Sequence, residues 1–306
     1  MAKPNDVAIY FDSSLCTGCK GCQVACKQWN ELPAPLGHNV TEFSGSLQSP
    51  MDLNGDTRLI QTFHEEESGN KFQPINWAIG RRSCMHCTDA ACVEVCSSHA
   101  LFHDKNGIVN FDTEKCNGCQ YCRTACPFDV PRFRPGDHKI DKCTACMDRL
   151  EKGGIPACVK TCQPEALRFG NRDEMIAKAK ARVEVLKAKG FSKAEVYGET
   201  EMGGLHVIYV CKHGHEAYGL PTNPQKKAVY DSHKLFRPLG GIAAAATVAG
   251  LALSWISARK YHRDDLTIDE AKKTWTPEQQ AKADAELKAA LEEKEVNYQI
   301  KCKVTE

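Results

Sequence analysis

At 306 residues, 42% hydrophobic and 26% charged, the chain has the length of two or three compact units and the composition of ordinary globular protein. Forty Lys and Arg against 39 Asp and Glu leave a formal charge of +1, so there is no basic excess of the kind a nucleic-acid binder carries. Eighteen cysteines are the exceptional feature. Disulfide scaffolds of that density belong to short secreted chains. The opening MAKPNDVAIYFD lacks a basic segment followed by an apolar one, and no signal peptide is expected. The thiols therefore meet a reducing cytosol first, which favours metal ligands over disulfides.

Taken in chain order, Val7-Ala8-Ile9-Tyr10-Phe11 predicts a strand running into a first cysteine burst, Cys16, Cys19, Cys22 and Cys26. Residues 33–74, rich in Pro, Gly, Ser and acid, predict a surface insertion. A second burst, Cys84, Cys87, Cys92 and Cys96, is followed by a short strand at Ala100-Leu101-Phe102. Ile108 to Phe111 predicts another strand, before a third burst of Cys116, Cys119, Cys122 and Cys126. The fourth burst is Cys143, Cys146, Cys158 and Cys162, with a strand at Ala166 to Phe169. Each repeat thus reads as strand, cysteine loop, short helix, strand.

A helix is expected from about Arg172 to Lys189, opened by Asn171 and Glu174 at capping-box spacing and stopped by Gly190. Gly204 to Val210 predicts a strand, and residues 211–238, with three prolines, an extended linker. Leu239 to Ala258 is an uncharged run that as a helix would span about 30 Å, the thickness of a bilayer's hydrocarbon core. With seven alanines it also suits a buried core helix. The membrane reading draws on Lys234, Arg237, Arg259, Lys260 and Arg263 as flanks, and on small residues at Ala246, Gly250, Ser254 and Ala258. The charged tail, residues 259–306, predicts a solvated helix from about Pro277 to Lys294, opened by Thr276-Pro277-Glu278-Gln279.

The spacings identify the metal. Bursts one and three are C-x2-C-x2-C-x3-C, the bacterial ferredoxin run, in which three cysteines wrap one [4Fe-4S] cube and the fourth ligates its neighbour. The second burst has C-x2-C-x4-C-x3-C and the fourth C-x2-C-x11-C-x3-C. Both keep the C-x3-C ending that delivers the crossing ligand. Paired C-x2-C units also build four-cysteine zinc sites, but zinc draws two and two ligands from separate knuckles rather than from such runs.

Because fourth ligands cross, bursts work in pairs. Nesting predicts an inner unit over residues 75–136 and an outer one from residues 1–32 and 137–170. Four clusters result, on Cys16, Cys19, Cys22 with Cys162; on Cys143, Cys146, Cys158 with Cys26; on Cys84, Cys87, Cys92 with Cys126; and on Cys116, Cys119, Cys122 with Cys96. The fold class is α+β: two ferredoxin-like dicluster units, a helix–strand extension over residues 171–238, one transmembrane helix at 239–258 and the tail. Four oxidised cores with sixteen thiolates would bring the chain to about −7, a charge that Lys20, Lys27, Arg123, Lys142 and Arg149 lie near enough in sequence to moderate. Cys211 and Cys302 are left over, and read as a buried hydrophobe and a tail thiol.

FDSSLCTGCKGCQVACKQWN at Phe11 to Asn30, RSCMHCTDAACVEVC at Arg82 to Cys96, the fourth-burst run and GGLHVIYV at Gly203 to Val210 together resemble the iron–sulfur (beta) subunit of membrane-bound respiratory formate dehydrogenase. The cysteine pattern alone is shared with subunits of other molybdopterin oxidoreductases and some hydrogenases. Ser97 and Gln163 stand where that family often has Pro. The resemblance implies a relay with no catalytic site of its own. A catalytic subunit with a molybdenum or tungsten pterin would supply electrons, and a membrane cytochrome b would take them to quinone. It further implies a single-pass membrane protein with its cluster domain on the outer, periplasmic side and its tail in the cytoplasm.

Overall fold

The computed structural model describes residues 6–33, 47–225, 228–261 and 275–303. The chain divides into two compact units, at Arg237 and Pro238.

The first unit is built on a four-stranded sheet of β1 (Val7–Asp12), β8 (Leu167–Asn171), β9 (Glu195–Tyr197) and β10 (Val207–Cys211), in the order β8-β1-β10-β9. β1 runs parallel to β10, with Ile9 opposite Val207, and antiparallel to β8. The two central strands are apolar along their length because both their faces are covered. Side chains alternate across a strand. Ala8, Tyr10, Ile208 and Val210 pack against α6 (Arg172–Ala188), while Ile9, Phe11, Val207, Tyr209 and Cys211 pack with the cysteine loops. α6 presents Met175, Ile176, Ala179, Val183 and Leu186 to the sheet, one helical stripe. Its start is as expected: the Asn171 side chain accepts the Asp173 amide, and Gly190 beyond its end has φ +94°.

Against the other face lie the cysteine segments, each carrying a short helix: α1 (Gly21–Trp29), α2 (Ala91–Glu94), α3 (Tyr121–Ala125), α4 (Met147–Glu151) and α5 (Ala157–Lys160). α1 packs with α5 and α2 with α3. Two small hairpins, β4 (Leu101–His103) with β5 (Val109–Phe111) and β6 (Arg132–Phe133) with β7 (Ile140–Asp141), close the middle of the chain.

Two expectations need revision. Residues 34–46 of the expected surface insertion lie outside the described residues, but its remainder is integral to the body. β2 (Ile60–Asn70) and β3 (Gln73–Arg82) form a long hairpin whose base buries Leu59, Ile60 and Gln61. The acidic and polar stretch from Glu65 to Asn76, which contributed to the loop reading, forms the hairpin's outer end. Nor are residues 211–238 an extended linker throughout, since α7 (Ala228–Tyr261) begins eleven residues before the apolar run and continues through Pro238.

In the second unit, residues 238–258 of α7 form one helix long and apolar enough to cross a membrane, and none of that window is buried. Ile242, Val248, Leu251, Leu253 and Trp255 all stand exposed, which does not suit the core-helix alternative and is compatible with a bilayer. The tail residues 262–274 and 304–306 lie outside the described residues; between them α8 (Pro277–Lys303) forms the expected helix.

Candidate metal centres

The four C-x2-C loops share one backbone device. The residue before the second cysteine is left-handed in every one: Gly18 (φ +68°), His86 (+49°), Gly118 (+73°) and Ala145 (+50°). This conformation curls the loop so that backbone N–H groups turn inward. Glycine is required where space is shortest, since a Cβ on Gly118 would stand 2.8 Å from the His138 carbonyl oxygen and one on Gly18 2.9 Å from the Phe63 ring. A second device follows the crossing cysteines. His99, Asp129 and Glu165 each lie three residues after Cys96, Cys126 and Cys162, have positive φ, and donate their amides to those cysteines' carbonyls. The chain thus turns back to a strand after giving up its last sulfur.

The seventeen cysteines from Cys16 to Cys211 are free thiols. Charge interactions tie them into sets. Cys22 is influenced by Cys16, Cys19 and Cys162; Cys26 by Cys143, Cys146 and Cys158; Cys87 by Cys84, Cys92 and Cys126; Cys122 by Cys116, Cys119 and Cys96. For each of these thiols the influencing thiols come from two bursts. Adjacent sets also influence one another, Cys92 through Cys122, Cys84 through Cys143, and Cys158 through Cys22. Cys19 and Cys119 are exposed, whereas most of the others are buried or partly so.

The donors suit clusters. A cavity is lined by all four thiols of one set, Cys26, Cys143, Cys146 and Cys158, together with Asn30 and Arg58. Sulfurs accept polar hydrogens: the Ile140 amide at Cys116 (3.4 Å), Ala145 at Cys143 (3.4 Å), Ala157 at Cys146 (3.5 Å), Leu167 at Cys162 (3.3 Å), and the Gln61 side chain at Cys16 (2.9 Å). Burial nevertheless pushes the thiols up, Cys22 to about 11 and Cys122, Cys146 and Cys158 to about 12. Such thiols stay protonated at neutral pH, and a cationic core held by them would take the place of those protons, which would couple metal loading to the folded state. Among the described residues, no three His, Cys, Asp or Glu side chains form a group fit for a single metal ion; Cys26, Cys143, Cys146 and Cys158 line one shared cavity.

Of the basic residues singled out in the sequence, only Lys142 is buried. Its ammonium donates to the Val109 and Cys143 carbonyls and partly offsets the rise that burial imposes on Cys84 and Cys92. Lys20 and Arg149 instead stack on Phe63 and Trp29, Lys27 donates to the Pro33 and Asp56 carbonyls, and Arg123 pairs with Asp129. Sequence reasoning missed Gln61, Arg58 and Arg81, all brought to the sulfurs by the hairpin or its approach. Cys211 is a fully buried core residue.

Four cysteine loops of ferredoxin-type spacing define an iron–sulfur protein. In agreement, the family model of the 4Fe-4S dicluster domain matches residues 75–172. Among curated proteins, the chain is 37% identical to the formate dehydrogenase-O iron–sulfur subunit of Escherichia coli K12, over 85% of this chain and 86% of that one. It is 40% identical to the nitrate-inducible formate dehydrogenase iron–sulfur subunit of the same organism, over 82% and 85%. It is also 32% identical to the hydrogenase-2 operon protein HybA of Escherichia coli O157:H7, over 82% and 84%. The chain belongs to the family of formate dehydrogenase iron–sulfur subunits, electron-transfer subunits that are not catalytic alone.

Proposed function

We propose that the chain carries four [4Fe-4S] clusters, held in the sets of four thiols described above, and relays electrons from a molybdenum- or tungsten-pterin formate dehydrogenase subunit to a membrane cytochrome b. When bound, the clusters supply one-electron redox chemistry. The observation that carries the reading is the exchange of sulfurs: Cys26 stands with Cys143, Cys146 and Cys158, while Cys162 stands with Cys16, Cys19 and Cys22. Two nested ferredoxin-like units require this exchange, and α1 packing with α5 and α2 with α3 supports it. The neighbour relations among sets run in one line, from the Cys119 set through those of Cys87 and Cys146 to that of Cys19. The exposed sulfurs at its two ends suit contact with two different partners.

The apolar helix at 238–258 supports a single membrane span, and by kinship with the formate dehydrogenase subunits it would lie beside the cytochrome, with the cluster body on the periplasmic side and the tail in the cytoplasm. Kinship with HybA supports a second reading, in which the electron donor is a hydrogenase. Anaerobic affinity purification of the complex and identification of its large subunit separates the two: a pterin-containing, formate-oxidising partner is expected, and a nickel-containing one selects the hydrogenase reading. The sulfur exchange is tested by replacing Cys26 and Cys143 singly with Ser. Both variants should perturb the same cluster's electron paramagnetic resonance signal, and perturbation of two different signals would overturn the pairing.

A further inference from the structure

Two cations are buried among the thiols, and they are placed differently. Lys142 directs its charge at two backbone carbonyls and lies over the Phe111 ring. Arg81 is 3% exposed, and none of its three guanidinium nitrogens has a hydrogen-bond partner. It sits on β3 directly opposite Gln61 of β2, and opposed residues of an antiparallel pair project to the same face. Gln61 reaches Cys16 from that face. The guanidinium acts on Cys22 of one thiol set and on Cys158 of the next, more weakly on Cys84 of a third, and Cys143 acts on it in turn. Tyr209, from the sheet, donates its hydroxyl to the Arg81 carbonyl at 2.7 Å and fixes the strand there.

An ionised side chain without a partner is strongly disfavoured in a protein interior. Arg cannot escape by losing its proton. Burial opposes the charge here, and Tyr209, Cys158, Cys143 and Cys22 favour it only when they are ionised. Its counter-charge must therefore come from what the thiols hold. A 2+ core with four thiolates carries a net charge of −2, and one further electron makes it −3. A fixed cation beside it favours the reduced form.

We infer that Arg81 is the positioning residue that sets potential at the junction of the Cys22 and Cys158 thiol sets, raising the reduction potentials of both clusters together while leaving the distant Cys119 set untouched. This rests on the four-cluster reading. It makes the Cys19 end of the relay more readily reduced than its spacing alone dictates. The graded reach of one charge over neighbouring sites distinguishes this from a purely structural role.

The test uses the anaerobically purified intact complex, with Arg81→Gln and Arg81→Lys compared with wild type by redox titration followed by electron paramagnetic resonance. Signals are first assigned with cysteine variants, and iron is counted in every sample. An iron deficit already present in the wild type defeats the four-cluster reading rather than the role of Arg81. With iron complete, Arg81→Gln is expected to lower the potentials of the Cys22 and Cys158 clusters by at least tenfold in their reduction equilibrium, about 59 mV for one electron. The Cys84 cluster should shift less and the Cys119 cluster not at all, and Arg81→Lys should recover most of the difference. Four unchanged potentials, or one uniform shift of all four, overturns the inference. Should Arg81→Gln lose iron, the loss is expected at the two clusters Arg81 faces, and loss from the Cys119 cluster overturns it equally.

Discussion

Arg58 grips Asp141 through two nitrogens, Nε to Oδ1 at 2.5 Å and Nη2 to Oδ2 at 3.2 Å, with Asp141 only 3% exposed. Its third nitrogen donates to Asn30, whose side chain in turn caps the Cys26 carbonyl. One guanidinium thus ties the end of the first cysteine segment to the residue two before Cys143, the two segments that supply a single thiol set from more than a hundred residues apart. Arg58→Met should cost about 3–5 kcal/mol, since it leaves a buried carboxylate without its partner. Burial already raises the Asp141 carboxyl above its ordinary range, and losing Arg58 raises it further. The penalty is absent where Asp141 is protonated in folded and unfolded states alike, and it grows as pH rises through the ordinary carboxylate range towards the elevated folded value. Denaturant titrations of wild type and variant should therefore diverge most at neutral pH and converge as the medium is acidified.

Gln61 donates to Cys16 at 2.9 Å and accepts the Cys22 thiol at 3.5 Å in this structure. A hydrogen bond to a thiolate stabilises the more negative, reduced cluster. Gln61→Leu keeps the bulk and removes the donor, so the potential of that cluster alone should fall, by a difference of about 1–2 kcal/mol in its reduction free energy. A redox titration in which that cluster keeps its wild-type potential would show the amide to be structural only.

Gly118 must be left-handed in the narrowest of the cysteine loops, beside the His138 carbonyl. Gly118→Ala combines backbone strain with a steric contact that only backbone movement relieves, and should destabilise by about 1–3 kcal/mol. Partial loss of iron from the Cys116 set is the expected accompaniment, measured as iron per chain beside the melting temperature. The corresponding change at Gly136, which has open space around its Cβ position, serves as the control.

The fourfold cysteine spacing made the ferredoxin-type loops legible before any coordinates, because such a loop is a local object whose geometry is fixed by two or three intervening residues. β1, β5, β8, β10 and α6 were legible for the same reason, from short-range periodicity. What lay beyond reach was the approach of distant chain. The parallel pairing of Ile9 with Val207 depends on the whole body folding between them. Arg81 and Gln61 could not be seen, because the hairpin that carries them reads as polar loop at its outer end, and nothing in a strand's own sequence states which buried group it will face. Pro238 misled for the opposite reason: a residue that usually ends helices lies inside α7.

The helix at 238–258 is apolar and exposed throughout. Leu251→Arg would put a charge near its centre, at a cost of about 2.5–3.5 kcal/mol for insertion. The wild-type chain should stay with the membrane fraction after alkaline carbonate washing, and the variant should be partly released. Release of the wild type to the same extent would argue that the helix packs against protein rather than lipid.

The central claim is that sixteen cysteines hold four cubes. Native mass spectrometry of the chain, released without oxygen from its purified complex, weighs its inorganic content directly. A mass increment of four [4Fe-4S] units, about sixteen irons with as many sulfides, is the predicted result. An increment that corresponds to zinc, or to fewer than four cubes in a chain that retains all its cysteines, would contradict it.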